Sequence, residues 1–163
     1  MELRISHNAQ AIAAAILGRD RAVLQRVGSA LWRGALETSN EAKQRAPKFR
    51  SEIVTSVGVS HPAPLEQHIT FPKRHAYYQE KGTGPGGRPP LAEMVDWIRM
   101  KGITPRTPGM TRLQLAHLLR RRIAQRGVPA QPFAEPALEA KRDRINALIR
   151  AAVGEGLAQG GSA

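Results

Sequence analysis

The side chains that carry chemistry in most enzymes are few in this chain and poorly grouped. Cysteine is absent, which removes disulfides, thiolate nucleophiles and thiolate metal ligands together. The five histidines, His7, His61, His68, His75 and His117, are scattered. His61, His68 and His75 recur every seven residues, a spacing that sets them on separate segments of a hairpin and matches no usual metal-ligand pattern. No serine stands in a Gly-x-Ser-x-Gly elbow. Glu93 and Asp96 fall on an expected helix, where each has a structural use: Glu93 in the first turn, Asp96 beside Arg99. Glu139-Ala140-Lys141 has the Glu-x-Lys spacing of metal-dependent nucleases, but no suitably placed Pro-Asp precedes it and the segment reads as helix. The run Gly82-Thr83-Gly84-Pro85-Gly86-Gly87-Arg88 lacks the Gly-Lys-Ser/Thr ending of a phosphate loop. It also meets Pro89 and Pro90 where a phosphate-cradling helix would begin. No catalytic residue, cofactor site or metal site is therefore predicted.

What the chain has in excess is positive charge. Its 25 Lys and Arg outnumber 13 Asp and Glu for a net +12, and 19 of the cations are arginine. Such a balance favours nucleic acid or acidic protein surfaces, although a GC-rich genome raises Arg, Ala, Gly and Pro together in the same way. Arg120, Arg121 and Arg122 are consecutive, with Arg126 four beyond the last. Successive helical residues are about 100° apart, so the three cannot share one face, whereas Arg122 and Arg126 can. A later segment adds Lys141, Arg142, Arg144 and Arg150 against Glu139 and Asp143. Two readings stay open: solvated amphipathic helices, or a basic surface facing DNA or an acidic neighbour. Aromatic residues make up only 4%, so any DNA contact should be with phosphate and without sequence preference.

These residues are positioned by elements that can be read in order. At 163 residues the chain is long enough for one domain with its own core. Residues 1–19 are expected as an N-terminal arm containing a short helix, Ala9 to Leu17, that is too short to span a bilayer and unlike a signal peptide. The chain reads as a soluble protein made in the cytoplasm. Asp20 caps a long helix in which Val23, Val27, Leu31 and Ala35 recur at helical spacing, closed by Pro47. Alternation then predicts a strand over Ile53 to Val59, a connection at His61-Pro62-Ala63-Pro64, a strand over Leu65 to Phe71 and a third over Ala76 to Glu80. Lys81 to Pro90 is a loop. Helices follow at Leu91 to Lys101, from a Thr111 cap to Arg126 with Gly127 as stop, and at Glu135 to Val153. Residues 154–163 are expected as a flexible tail. The fold class is α+β: a small antiparallel sheet packed against a long N-terminal helix, with further C-terminal helices.

Three segments in this order resemble the small tail-completion, or head–tail joining, proteins of long-tailed double-stranded DNA phages. Glu41-Ala42-Lys43-Gln44-Arg45-Ala46-Pro47 is similar to the family's helix closing on Ala-Lys-x-x-Ala-Pro. His75-Ala76-Tyr77-Tyr78-Gln79-Glu80-Lys81-Gly82-Thr83-Gly84-Pro85 is similar to its Tyr-Ala-x-x-x-Glu-x-Gly-Thr segment. Ile123 to Phe133, ending Gln131-Pro132-Phe133, is similar to its Ile-x-x-x-Gly-x-x-x-x-Pro-Phe segment, with Ala137-Leu138 opening the terminal helix. The chain departs from the pattern after Ala-Pro, where Lys48-Phe49-Arg50-Ser51 replaces Thr-Gly and a Leu-Arg-x-Ser stretch. The resemblance implies a non-catalytic virion protein at the neck or tail end, in a homo-oligomeric ring that is hexameric by analogy. Its neighbours would be the tail terminator, tail tube or head-side connector, with possible non-specific contact to DNA in the channel. The candidate interaction residues are Glu80, Lys81, Gly82, Thr83, Gly84, Pro85, Arg88, Arg120, Arg121, Arg122, Arg126, Gln131, Pro132 and Phe133. The alternatives are a sequence-independent DNA-binding or packaging accessory protein and, behind it, a metal-dependent nuclease.

Overall fold

The computed structural model describes residues 1–5, 21–47 and 52–160. The expected helix at Ala9 to Leu17, the Asp20 cap and the Lys48–Ser51 turn lie outside the described residues. In chain order the elements are β1 (Glu2–Ile5), α1 (Arg21–Arg45), α2 (Glu52–Ser56), β2 (Gly58–Ala63), β3 (Glu66–Thr70), α3 (Arg74–Lys81), α4 (Leu91–Met100), α5 (Arg112–Arg126) and α6 (Ala134–Gly160). The chain forms two compact units: Met1–Tyr77 with Pro132–Ala163, and Tyr78–Gln131.

The larger unit is the expected α+β arrangement. Val23, Val27, Leu31 and Ala35 form the buried stripe of α1, as their spacing predicts. The stripe continues in small residues (Gly34, Thr38, Ser39, Ala42, Ala46), which let another backbone come close. The hydroxyl of buried Thr38 donates to the Gly34 carbonyl at 2.8 Å, so its polar atom is satisfied within the helix. Against this face packs α6, through Ala137, Ile145, Ile149 and Ala152. The sheet lies on α1 as well, its order β1-β3-β2 and both pairings antiparallel. Gln67, Ile69 and Phe71 point inward from β3 and its extension, following the alternation read from the sequence. The Phe71 ring meets Phe133 edge to face, with centroids 5.3 Å apart.

Several expectations need correction. The predicted strand at Ile53–Val59 begins instead as the helical turn α2, and extended structure starts only at Gly58. Ile53 and Val57 also fit a four-residue spacing, and the Ser56 hydroxyl donates to the Ile53 carbonyl at 3.1 Å, a local bond that favours the turn. The predicted connection through His61-Pro62-Ala63 belongs to β2 itself. Proline is tolerated there because β2 is an edge strand whose register shifts between Ser60 and Ala63. Ala76 to Glu80 is not a strand but the middle of α3: Ala76 and Glu80, one helical turn apart, are buried, while Tyr77 and Tyr78 are exposed. The third strand is β1, from the expected N-terminal arm. Its pairing with β3 is lengthened by reciprocal bonds between Met1 and Phe71, at 2.9 and 2.7 Å. At the other end α6 continues through Gly160, so residues 154–160 of the expected flexible tail are helical.

In the smaller unit α4 and α5 pack through Met94, Ile98 and Ala116, with Leu91, Val95, Leu119 and Ile123 around them. Thr111 caps α5 in a full capping box: its hydroxyl accepts from the Gln114 amide, and the Gln114 side chain accepts from the Thr111 amide. Gly127 ends the helix with φ +74°. No helix among the described residues is long and apolar enough to cross a membrane.

Candidate interaction surface

Residues from two of the three family-like segments, far apart in sequence, are clasped together within Tyr78–Gln131. Thr83 and Val128 form an antiparallel bridge. The Thr83 amide donates to the Val128 carbonyl at 2.9 Å, and the Val128 amide donates back to the Thr83 carbonyl at 3.1 Å and to its hydroxyl at 3.0 Å. Further along, three residues beyond Val128 and four before Thr83, the Gln131 amide donates to the Gln79 carbonyl at 2.8 Å, and the Gln79 amide side chain donates to that of Gln131. The approach is close enough to dictate residue type. A Cβ on Gly127 would lie 1.9 Å from the Thr83 carbonyl oxygen, and one on Gly82 would lie 2.7 Å from the Val128 carbonyl oxygen and the Ala130 amide nitrogen. Both glycines also have positive φ, a backbone that other residues rarely adopt.

The glycine loop then runs along the end of α5. The Gly86 amide donates to the Ala124 carbonyl at 2.7 Å, satisfying one of the acceptors that a helix C-terminus leaves open. Gly84, Pro85 and Arg88 are exposed, as is Lys81, while Gly82 and Thr83 are half-buried in the clasp. The loop is thus a pinned connector, and its exposed stretch is short.

The arginine cluster sits beside it. Arg121, Arg122 and Arg126 are exposed on α5, and Arg120 is half-buried with its Nε out of water and without a partner among the described residues. None of the four forms an ion pair among the described residues. The cations of α6 behave differently. Lys141 reaches Glu41 of α1 at 3.3 Å, Arg144 reaches Glu37 at 3.4 Å, and Arg142 pairs with Glu139 at 2.7 Å. Glu41 also holds Arg45 at 2.8 Å; the hydrogen bonds from Arg45 and then Lys141 pull its carboxyl below the usual carboxylate range. The basic character of α6 is largely spent inside the fold, and that of α5 is not.

Other predicted residues are dispersed. Phe133 is in the core of the larger unit, 1% exposed, and Glu80 is buried, so neither offers its side chain to a partner; Gln131 and Pro132 are exposed. Glu139 and Lys141, the nuclease-like pair, are engaged with Arg142 and Glu41. His61 stacks edge-on against Trp32 and His68 bonds Glu66 at 2.7 Å. Among the described residues no group of three or more His, Asp or Glu is gathered as a metal site.

An open groove of about 780 Å³ runs between α1 and the β2–β3 turn, lined by Leu24, Trp32, His61, Pro64 and Gln67 among others. The Gln67 side-chain oxygen is buried there without a hydrogen-bond partner among the described residues. Only the Leu24–Gly28–Trp32 spacing on one helix hinted at it, and nothing local pairs that helix with Pro64. No protein-family model matches the chain, and no curated protein or solved structure is significantly similar to it.

Proposed function

We propose that this chain is a non-catalytic structural protein of a long-tailed phage particle, at the neck or tail end, where copies assemble into a ring that completes the tail or joins it to the head-side connector. The observation that carries the reading is the clasp. The Glu80–Pro85 and Gly127–Phe133 stretches, which bear the likeness to tail-completion proteins, contain the glycines and the threonine that make Thr83 and Val128 meet at bonding distance. Residues that are distinctive in the likeness are thereby given one shared structural task, which chance matches in two unrelated loops would not have.

The exposed loops next to the clasp are pinned at defined points instead of being free, and pinned Gly/Pro loops suit docking because little entropy is lost when a partner binds. A ring needs a head-to-tail interface that closes by rotation, and Gly84 to Arg88 with Gln131 is the surface assigned to it. The tail terminator, tail tube and connector are the proposed neighbours. Native mass measurement of the purified chain, alone and mixed with tail-tube or connector protein, tests the assembly. A closed ring of about six copies, or co-assembly with one such partner, is expected. A monomer under every one of these conditions would count against it.

A further inference from the structure

We propose that the arginines of α5, with Arg88 at the end of the glycine loop, form a surface that binds the phosphate backbone of duplex DNA without reading its sequence. This does not rest on the neck assignment.

Charge is the first ground. The Tyr78–Gln131 unit carries ten Lys and Arg against three Asp and Glu, a net +7 of the chain's +12 in the smaller of its two units. The second is the lack of internal use. Arg88, Arg120, Arg121, Arg122 and Arg126 make no ion pair among the described residues, whereas α6 matches three of its cations to Glu37, Glu41 and Glu139. Unmatched arginines repel one another at a cost in stability, and an external polyanion relieves it.

Geometry and composition then favour DNA over an acidic protein. Arg121 and Arg122 flank the outward line of Leu118 and Gln125, about 100° apart around the helix, so charge is offered on both sides of one helix. That suits the two phosphate lines bordering a groove about 12 Å wide. Leu113 and Leu118 are exposed, as single surface leucines often are, and of the anchors usual in protein interfaces α5 offers arginine but no aromatic residue. Phosphate contact needs none. At Gly84 and Gly87 a Cβ would meet nothing within 4 Å among the described residues, and neither has positive φ. No neighbour among the described residues demands glycine there, and a bare backbone admits a bulky ligand close to its amides.

The test is fluorescence anisotropy of the full chain with two labelled duplexes of unrelated sequence, titrated from ~50 to ~200 mM salt. Equal affinity for both duplexes is expected, with log affinity falling linearly in log salt. Arg121→Gln/Arg122→Gln should make that slope shallower by about 1.8, from ~0.9 per phosphate contact. Both arginines are exposed and make no ion pair among the described residues, so its circular dichroism melt should match the parent. Arg142→Gln/Arg144→Gln removes the same net charge from cations already paired and should change the slope by less than half as much. Absence of binding at low salt, or an equal effect of the two double variants, would overturn the proposal. Binding to polyglutamate but not to duplex would overturn it in favour of an acidic protein partner. A chain that forms rings yet ignores duplex defeats this proposal and leaves the neck reading standing; one that binds duplex only as a monomer does the reverse.

Discussion

Gly34 of α1 lies so close to Ile145 of α6 that a Cβ on the glycine would sit 2.8 Å from the isoleucine Cγ1. The same antiparallel register pairs Arg26 with Glu155, Glu37 with Arg144 and Glu41 with Lys141 along the two helices. This contact is the core of the larger unit. Gly34→Ala is expected to cost about 1–3 kcal/mol by overpacking, despite the better helix propensity of alanine. Urea unfolding measures it. In an Ile145→Ala background, which removes the opposing atoms, the cost of Gly34→Ala should fall sharply; equal costs in both backgrounds would mean that the contact does not matter.

The clasp in the smaller unit makes a sharper prediction. Gly127→Ala places a Cβ 1.9 Å from the Thr83 carbonyl oxygen at a φ of +74°, and both effects act together. A loss of more than about 2 kcal/mol is expected, with earlier hydrogen exchange at the Thr83 and Val128 amides. Gly84→Ala and Gly87→Ala, which meet nothing, should stay within about 0.5 kcal/mol of the parent.

Thr111→Ala removes the acceptor that holds the Gln114 amide at 3.2 Å. A loss of about 1 kcal/mol is expected for this capping box, seen as fraying at the start of α5 in amide exchange. Thr111→Asp should restore most of it.

The acid side of stability should report on Glu41. Its carboxyl is held below the usual range by Arg45 and Lys141. Because the folded value is the lower one, its contribution is present above the ordinary carboxylate pKa and is lost as pH falls through the lowered value. The stability difference between the parent and Glu41→Gln should therefore favour the parent near neutral pH and shrink to nothing in strong acid. A difference independent of pH would show that the ion pairs contribute nothing.

Much of this was legible where local signals agree. The α1 stripe, the Thr111 cap and the Gly127 stop depend on residues within a few positions of one another, and the structure keeps all of them. Legibility failed where long-range packing decides. Glu2–Ile5 is too short to declare itself a strand without β3 as its partner. Tyr77 and Tyr78 have strand-like chemistry, yet the burial of Ala76 and Glu80 one turn apart sets a helix. Gly154 and Gly156 look like a frayed tail, but Gly156 is packed against Val23, so tertiary contact carries α6 onward. At the candidate site Arg121, Arg122 and Arg126 are exposed and Arg120 is half-buried, while Phe133, expected among the interaction residues, is buried. Only its meeting with Phe71 reveals it as core.

The central claim is the place of this chain in a phage particle, and imaging such a particle tests it most directly. In a cryo-electron-microscopy reconstruction of a tailed particle built with this chain, density for the α1–α6 pair and the Thr83–Val128 clasp should appear as a ring at the neck or tail end, with Gly84 to Arg88 at a boundary between copies or with a neighbour. Complete particles lacking that density, or density for this chain on the capsid shell or among the DNA, would contradict the account.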